Sequence, residues 1–181
     1  MKTATISRIS LISGVALALA LRTSMAASAG TLPNYAITNG YTLCLDAEND
    51  AANQPNNNGD KVTLWHCGPQ INQHWNLLFL YAAGGTAVYE IRNMYDTNNC
   101  LDAENDSANN PQRNGDKVQI WRCAGNSPNQ AWTYTNGHWV NQDHGLCLDA
   151  ENDGAGTPIK DGDKVQLWQC NGQTQQSWNF S

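Results

Sequence analysis

Carboxylate, amide and tryptophan side chains recur together three times along this chain of 181 residues. The sequence Cys-Leu-Asp-Ala-Glu-Asn-Asp begins at Cys44, Cys100 and Cys147, and each copy is followed by Gly-Asp-Lys-Val, Trp-x-Cys and a closing Gln-x-Trp. A carboxylate accepts hydrogen bonds, an amide both donates and accepts them, and an indole offers a flat apolar face. Together these groups suit a ligand that carries hydroxyl groups beside an apolar face.

Each repeated unit has the pattern of short strands joined by turns. In the first unit, residues 62–65 alternate apolar with polar or aromatic side chains, as a half-buried strand does. Turn signals precede that strand in every copy, at Asn58-Gly59, Asn114-Gly115 and Asp161-Gly162.

The units span about 32–78, 79–135 and 136–181, and none is long enough to close a core alone. About four strands in each unit predict an all-β fold of about twelve short strands. Three-fold repetition favours a closed barrel with a hairpin cap, because closure leaves no free sheet edge.

The six cysteines follow the same repeat. Six cysteines allow 15 pairings, and the repeat favours the three between cysteines 23 residues apart. Each such bridge closes a loop of about 24 residues and stabilises the fold by roughly 3 kcal/mol in the chain-entropy model. The favoured pairs are Cys44–Cys67, Cys100–Cys123 and Cys147–Cys170.

Strand alternation places Trp65 on a polar face, opposite the core. If Cys44 and Cys67 lie side by side on antiparallel strands, the register puts Asp46 directly opposite Trp65. The same register pairs Asp102 with Trp121 and Asp149 with Trp168. We therefore expect each unit to hold a carboxylate beside an indole, outside the core and next to a disulfide.

Six of the seven tryptophans form two sets. The set that closes the repeats is expected to fill the core, where an indole buries much apolar area. The set on the polar face either packs over the disulfides or stacks on a ligand. The core set is Trp75, Trp132 and Trp178, and the polar-face set is Trp65, Trp121 and Trp168.

The first 29 residues have the composition of a secretory signal peptide. Lys2 and Arg8 precede an apolar run over 11–21, and small residues stand before Gly30. We expect cleavage after Ala29, which leaves a single domain over residues 30–181. Export to an extracellular, oxidising compartment agrees with the even number of cysteines.

Charge and hydropathy exclude two classes of partner. The formal net charge is −6, and it becomes −9 without the three basic residues of the leader. A nucleic-acid-binding protein needs basic patches to displace counterions from phosphate, so this charge argues against one. No stretch supplies the roughly 20 consecutive apolar residues of a membrane span. We expect a monomer without cofactor or metal.

These motifs resemble the ricin B-type lectins, carbohydrate-binding β-trefoil domains marked by a Gln-x-Trp repeat. The resemblance rests on three copies of Cys-Leu-Asp, of Val-x-Leu-Trp-x-Cys (with Ile in the second copy) and of Gln-x-Trp. It covers essentially all of the mature chain. It implies a β-trefoil that binds glycans or polysaccharides and has no catalytic activity, and family analogy favours galactose-type or xylose-type sugars.

The resemblance also implies a role for each residue type. The Asp accepts hydrogen bonds from vicinal sugar hydroxyls, the Trp stacks on the ring, and the polar residue two positions before the Trp adds contacts. The Asn before Gln-x-Trp bonds a hydroxyl, and the Gln orients the Asp.

Carried over, these roles define three sites, which we rank second, third and first by completeness. The second site comprises Asp102, Gln119, Trp121, Asn129 and Gln130. The third comprises Asp149, Gln166, Trp168, Gln175 and Gln176, with Gln175 in place of Asn. The first comprises Asp46, Thr63, Trp65, Asn72 and Gln73, with Thr63 in place of Gln.

Three other functions fit less of the sequence. A glycosidase needs two carboxylates at a defined separation, but the trio Asp46, Glu48 and Asp50 recurs in all three units, which favours a solvated or turn-forming role for Glu48, Asp50 and their copies. The trio begins like a calcium loop without its Gly and closing Glu. A β-trefoil that binds protein, such as a protease inhibitor, uses one distinctive loop, for which the apolar stretch 78–97 is the candidate.

Overall fold

The computed structural model describes residues 34–48, 57–104, 113–151 and 159–181. The expected leader and its cleavage site lie outside these described residues. So do Asp50 and its copies, which the calcium alternative requires, and most of the loop that follows each Cys-Leu-Asp-Ala sequence.

Twelve β-strands and three one-turn 3-10 helices make up the described fold, in agreement with the all-β prediction. The first four strands are β1 (Tyr35–Asn39), β2 (Leu43–Ala47), β3 (Val62–His66) and β4 (His74–Ala83). The next four are β5 (Thr86–Asn93), β6 (Asn99–Ala103), β7 (Val118–Arg122) and β8 (Ala131–Thr135). The last four are β9 (His138–Asn141), β10 (Cys147–Ala150), β11 (Val165–Trp168) and β12 (Trp178–Phe180). The helices are Ile71–Gln73, Pro128–Gln130 and Thr174–Gln176.

The strands pair in a pattern that repeats three times. Within the units, β2 pairs with β3, β6 with β7 and β10 with β11, all antiparallel. Between the units, β4 pairs with β5, β8 with β9 and β12 with β1, which gives a nearly closed, barrel-like sheet. Single bridges also join β3, β7 and β11 to one another. This arrangement is the β-trefoil that the family resemblance implied.

The core prediction for the repeat-closing tryptophans is confirmed. Trp75, Trp132 and Trp178 are fully buried. Each indole N–H donates to a backbone carbonyl of the neighbouring strand, at 3.0 Å to Leu45, 3.0 Å to Leu101 and 2.9 Å to Leu148. These hydrogen bonds satisfy the one polar atom of each buried ring, so the indole holds the backbone next to the aspartate of its own unit.

The disulfides join the predicted pairs, but the predicted register is wrong by two residues. Cys44 pairs with Trp65, and Asp46 pairs with Thr63 rather than with Trp65. Likewise Asp102 lies opposite Gln119, not Trp121, and Asp149 lies opposite Gln166, not Trp168.

The position of Cys67 explains the error. Strand β3 ends at His66, so Cys67 lies beyond the last paired residue and reaches Cys44 diagonally, with a Cα–Cα distance of 5.0 Å. Because the shift is an even number of residues, every side chain keeps the face that alternation assigned to it. Asp46 and Trp65 are therefore diagonal neighbours on the outer face.

Candidate functional site

The second site centres on the carboxylate of Asp102, which three side-chain amides hold. Strand β6 carries Asp102, and strand β7 places Gln119 directly opposite, where its Nε2 lies 3.0 Å from Oδ1. The helix Pro128–Gln130 presents Nδ2 of Asn129 and Nε2 of Gln130 at 2.6 and 2.9 Å from Oδ2. Asp102 is buried, so these amides replace the water that a surface carboxylate would bind.

Two amides hold the equivalent carboxylate of the first site. Nδ2 of Asn72 lies 3.0 Å from Oδ1 of Asp46, and Nε2 of Gln73 lies 2.9 Å from Oδ2. Thr63 is the residue opposite Asp46, and a threonine side chain has no amide to donate. The first site therefore has the same plan as the second, with one donor fewer.

The third site also has two amides on its carboxylate, but a different pair. Nε2 of Gln166 and Nε2 of Gln176 each lie 2.9 Å from an oxygen of Asp149. Gln175, which occupies the position of Asn72 and Asn129, donates instead to Oε1 of Gln173 at 2.7 Å. The structure thus brings the expected residues of this site together. The one difference is that the Gln175 amide points away from the carboxylate of Asp149.

The glutamine of each Gln-x-Trp sequence connects the carboxylate to the end of the neighbouring strand. Besides its bond to Asp102, Nε2 of Gln130 donates to the carbonyl of Arg122 at 3.0 Å, and its Oε1 accepts from the backbone N–H of Ala124 at 2.8 Å. Gln73 and Gln176 make the same set of bonds in their units. A buried amide with all its partners fixed gives the carboxylate one orientation.

Burial sets the protonation of the three carboxylates. Loss of hydration raises the pKa of Asp102 to about 6, although the bonds from Gln119 and Gln130 act to lower it. Burial raises the pKa of Asp46 and of Asp149 as well, again against the hydrogen bonds from their amides.

The polar-face tryptophans remain open to solvent. The exposed fractions are 47% for Trp65, 42% for Trp121 and 38% for Trp168. With the carboxylate on its floor and the indole on its wall, each site is an open cleft, of about 390 Å³ in the second unit. An aromatic face left exposed beside fixed polar groups is typical of a stacking platform.

Each of these indoles rests on a turn of another unit, which the sequence analysis missed. A Cβ atom at Gly162 would lie 3.7 Å from Cζ3 of Trp65, and one at Gly59 would lie 4.0 Å from Cζ3 of Trp121. Gly115 stands in the same relation to Trp168. These glycines have φ between 83° and 93°, a conformation that side chains with a Cβ rarely adopt. The Asn-Gly and Asp-Gly signals showed the turns but not what they support.

A glutamate lines each cleft, also unforeseen as a site residue. Glu48, Glu104 and Glu151 stand two residues after the three aspartates and border the first, second and third clefts. Each is ion-paired with the lysine of its own Gly-Asp-Lys-Val sequence, at N–O distances of 3.9, 3.3 and 3.3 Å. Their position in the repeat was visible in the sequence, but the closeness of the lysine depends on the strand register.

The described ranges hold one group of metal-ligating residue types, Glu90 with Cys100 and Cys123. The two sulfurs form a disulfide and offer no thiolate to a metal. Among the helices within these ranges, none is long and apolar enough to span a bilayer.

Two family models match the chain. The ricin-type beta-trefoil lectin domain matches residues 87–181, more than half of the chain, and a ricin-type beta-trefoil lectin domain-like model matches residues 27–113. The chain therefore belongs to the ricin-type β-trefoil lectin domain family. Membership in this family supports carbohydrate binding.

Solved structures share the fold at low sequence identity. The designed three-fold symmetric protein ThreeFoil is 24% identical with a TM-score of 0.62, over 81% of this chain and 96% of its own. The agglutinin from Abrus precatorius is 23% identical with a TM-score of 0.62, over 88% of this chain and 51% of its own. The C-half of an earthworm R-type lectin, solved in complex with GalNAc, is 16% identical with a TM-score of 0.54, over 83% of this chain and 98% of its own. No curated protein matches the chain.

Proposed function

We propose that the protein is a secreted, non-catalytic carbohydrate-binding protein with up to three sugar sites. The observation that carries the proposal is a buried carboxylate, oriented by amides, beside an exposed indole, repeated at the same backbone position in all three units. The carboxylate accepts hydrogen bonding from the sugar hydroxyls with the capacity that its amides leave, and the indole stacks on the C–H face of the ring.

Hydrogen-bond capacity supports this role for Asp102. An ionised carboxylate has about four acceptor positions, and the three amides fill three of them. The remaining capacity is available to a ligand hydroxyl, and a bond to a charged acceptor is stronger than one between neutral groups. Sites this shallow bind in the millimolar range, about −4 kcal/mol each. Three on one body engage a polymer together with much greater avidity.

Galactose-type or xylose-type glycans are the proposed ligands, by analogy with the family. The GalNAc in the earthworm lectin supports the galactose type, since that domain shares the fold with this chain. An acceptor-only carboxylate suits either sugar. Asp102 keeps about one acceptor position for a hydroxyl, and Asp46 and Asp149, each held by two amides, keep about two.

Ion pairing of the glutamates supports a non-catalytic site. A glycosidase acts through two carboxyl groups that flank one bond, whereas Glu104 is paired with Lys117 at 3.3 Å. The same pairing occurs in the other two units. Secretion rests on the N-terminal sequence and on three disulfides, which persist in oxidising compartments.

The test is a glycan and polysaccharide array with the full chain, expressed with its own leader in a secreting host. The matched control is the triple variant Asp46→Asn, Asp102→Asn and Asp149→Asn, which keeps the shape of each carboxyl group and removes its charge. We expect a secreted product that begins at Gly30, selective glycan binding, and loss of that binding in a variant whose melting shows it is folded.

Equal binding by the variant would show that the aspartates are not the sugar acceptors. A silent array with folded wild-type protein would contradict the proposed function and favour the protein-binding alternative, which a panel of proteases would then examine.

A further inference from the structure

The residue after the stacking tryptophan differs in every unit, although its backbone is the same. It is His66 in the first unit, Arg122 in the second and Gln169 in the third. Each backbone N–H donates to a side-chain oxygen of a neighbouring unit's turn, at 2.6–2.7 Å. Each carbonyl accepts from the glutamine of its Gln-x-Trp sequence. The main chain at this position is therefore fixed, and the side chain is what varies between sites.

Arg122 brings a positive charge to the second cleft. It lines that cleft together with Asp102 and Trp121. Within the described ranges, no carboxylate is ion-paired with its guanidinium. The other cation near the cleft, Lys117, is paired with Glu104 at 3.3 Å.

The equivalent residues supply no such charge to the other two clefts. Nδ1 of His66 lies 2.6 Å from Oδ2 of Asp161, and His66 borders a different surface depression, beside Tyr41. Gln169 is uncharged. Among the described residues, the lining of the first cleft includes Asp46 and Glu48, that of the third includes Asp149 and Glu151, and neither includes an arginine.

A guanidinium is the side chain best shaped to bind an oxyanion. Its N–H groups match the two oxygens of a carboxylate or sulfate, and it holds its charge at every physiological pH. The chain as a whole repels anions, since its formal net charge is −6. Of the three clefts, the second therefore repels an anionic group the least, and its Arg122 is the cation that binds such a group.

We propose that Arg122 makes the second site selective for glycans that carry an anionic substituent, a carboxylate or a sulfate, next to the sugar ring on Trp121. The first and third sites take neutral sugars. This inference rests on the proposed sugar-binding function and assigns a ligand class to one of its three sites.

The experiment isolates the second site in the full chain with the substitutions Asp46→Asn and Asp149→Asn. Calorimetric titrations then compare two matched pairs of ligands, lactose with 3′-sulfated lactose, and a xylo-oligosaccharide with its glucuronic-acid-substituted form. A preference within the lactose pair identifies sulfate as the anionic group, and a preference within the xylo-oligosaccharide pair identifies a carboxylate. We expect the anionic member to bind about tenfold tighter at low salt, as a hydrogen-bonded charge pair would give. We also expect the preference to shrink as salt is raised.

Two substitutions tie the preference to the guanidinium. Arg122→Gln introduces the residue that the third unit carries at this position, so the fold accommodates it, and it is expected to abolish the preference. The reciprocal change Gln169→Arg, in a chain that also carries Asp46→Asn and Asp102→Asn, is expected to create a preference at the third site.

The outcomes separate this inference from the function on which it rests. Binding of both members of a pair with equal affinity while Arg122 is present would overturn the inference and leave the lectin function standing. A preference that persists in the Arg122→Gln variant would also overturn it. If no member of either pair binds and the wild-type array is silent as well, both the inference and the proposed function fail.

Discussion

Asp102 in the second site and Asp46 in the first occupy equivalent positions on strands β6 and β2, yet the side chain directly opposite each aspartate differs. Gln119 faces Asp102 and donates to it, whereas Thr63 faces Asp46. The exposed fraction is 2% for Asp102 and 9% for Asp46. The additional amide fixes the carboxylate and also helps to exclude water from it. The better organised acceptor is thus the one that burial makes harder to ionise, with a pKa raised to about 6.

The largest effect is expected from substitution of the buried tryptophans, which support the strands of both sites. Trp132→Ala should destabilise the protein by about 3–5 kcal/mol, because it empties a core position and leaves the carbonyl of Leu101 without its donor. Trp75→Ala is the matched change in the first unit and should cost a similar amount. Urea unfolding followed by fluorescence measures both. Normal stability of the Trp132 variant, with loss of second-site binding alone, would assign this indole to the site and not to the core.

Removal of the aspartate charge should weaken sugar binding at one site at a time, and by different amounts at the second and first sites. With Asp149→Asn as background, Asp102→Asn is expected to weaken sugar binding at the second site about 100-fold, the cost of losing hydrogen bonds to a charged acceptor. Asp46→Asn should cost the first site less, because fewer amides orient Asp46. Titration calorimetry gives both values. A larger loss from Asp46→Asn would reverse the ranking of the two sites.

Acidification should weaken the second site before the first. With a pKa of about 6, Asp102 is only about one-tenth ionised at pH 5, so affinity there should fall about tenfold relative to its value well above pH 6. The contribution of Asp102 to the free energy of unfolding changes with pH in the opposite direction. A carboxyl group whose pKa is raised by folding favours the folded state at low pH, and this contribution is lost as the pH rises through 6.

Binding curves and thermal melts from pH 4.5 to 8 test both trends, with Asp102→Asn as control. Affinity of the second site that does not change across this range would contradict the role of the ionised carboxylate.

Exchange of the residues opposite the two aspartates should have the smallest effect and should transfer part of the difference in affinity between the sites. Gln119→Thr should weaken the second site about fivefold, and Thr63→Gln should strengthen the first by a similar factor, since one hydrogen bond contributes about 1 kcal/mol. The two variants carry each other's natural residue, so each is a control for the other. If neither affinity moves, the third amide only fills space beside the carboxylate.

Sequence repetition was enough to predict the strands, the disulfide pairs and which tryptophans are buried in the core and which lie on the polar face. Three copies of one pattern constrain alternation and cysteine spacing together, and the even spacing of side chains kept Trp65 on its face in spite of the wrong register. The register itself could not be read, because Cys67 lies past the end of β3 and reaches Cys44 diagonally. A disulfide alone does not show whether its cysteines are direct or diagonal neighbours.

Contacts between units could not be predicted from the sequence of each repeat taken separately. Nothing in the first unit tells that Trp65 meets Gly162, almost 100 residues away, because that contact exists only once the barrel has closed. Trp139 was also left without a role. It is buried where the other units have Ile37 and Ile91, so the repeat offered no tryptophan to compare it with.

The turns that support the indoles connect the three units in one order around the molecule. Gly59 of the first unit lies under Trp121, Gly115 of the second under Trp168, and Gly162 of the third under Trp65. A linear repeat array has end units that lack a neighbour, whereas here every unit supports the next and is supported by the one before. A change at the glycine of one turn therefore reaches the indole of the following unit. The three supporting contacts form a one-way cycle, so that a change in the turn of one unit alters the support of the indole in the next unit.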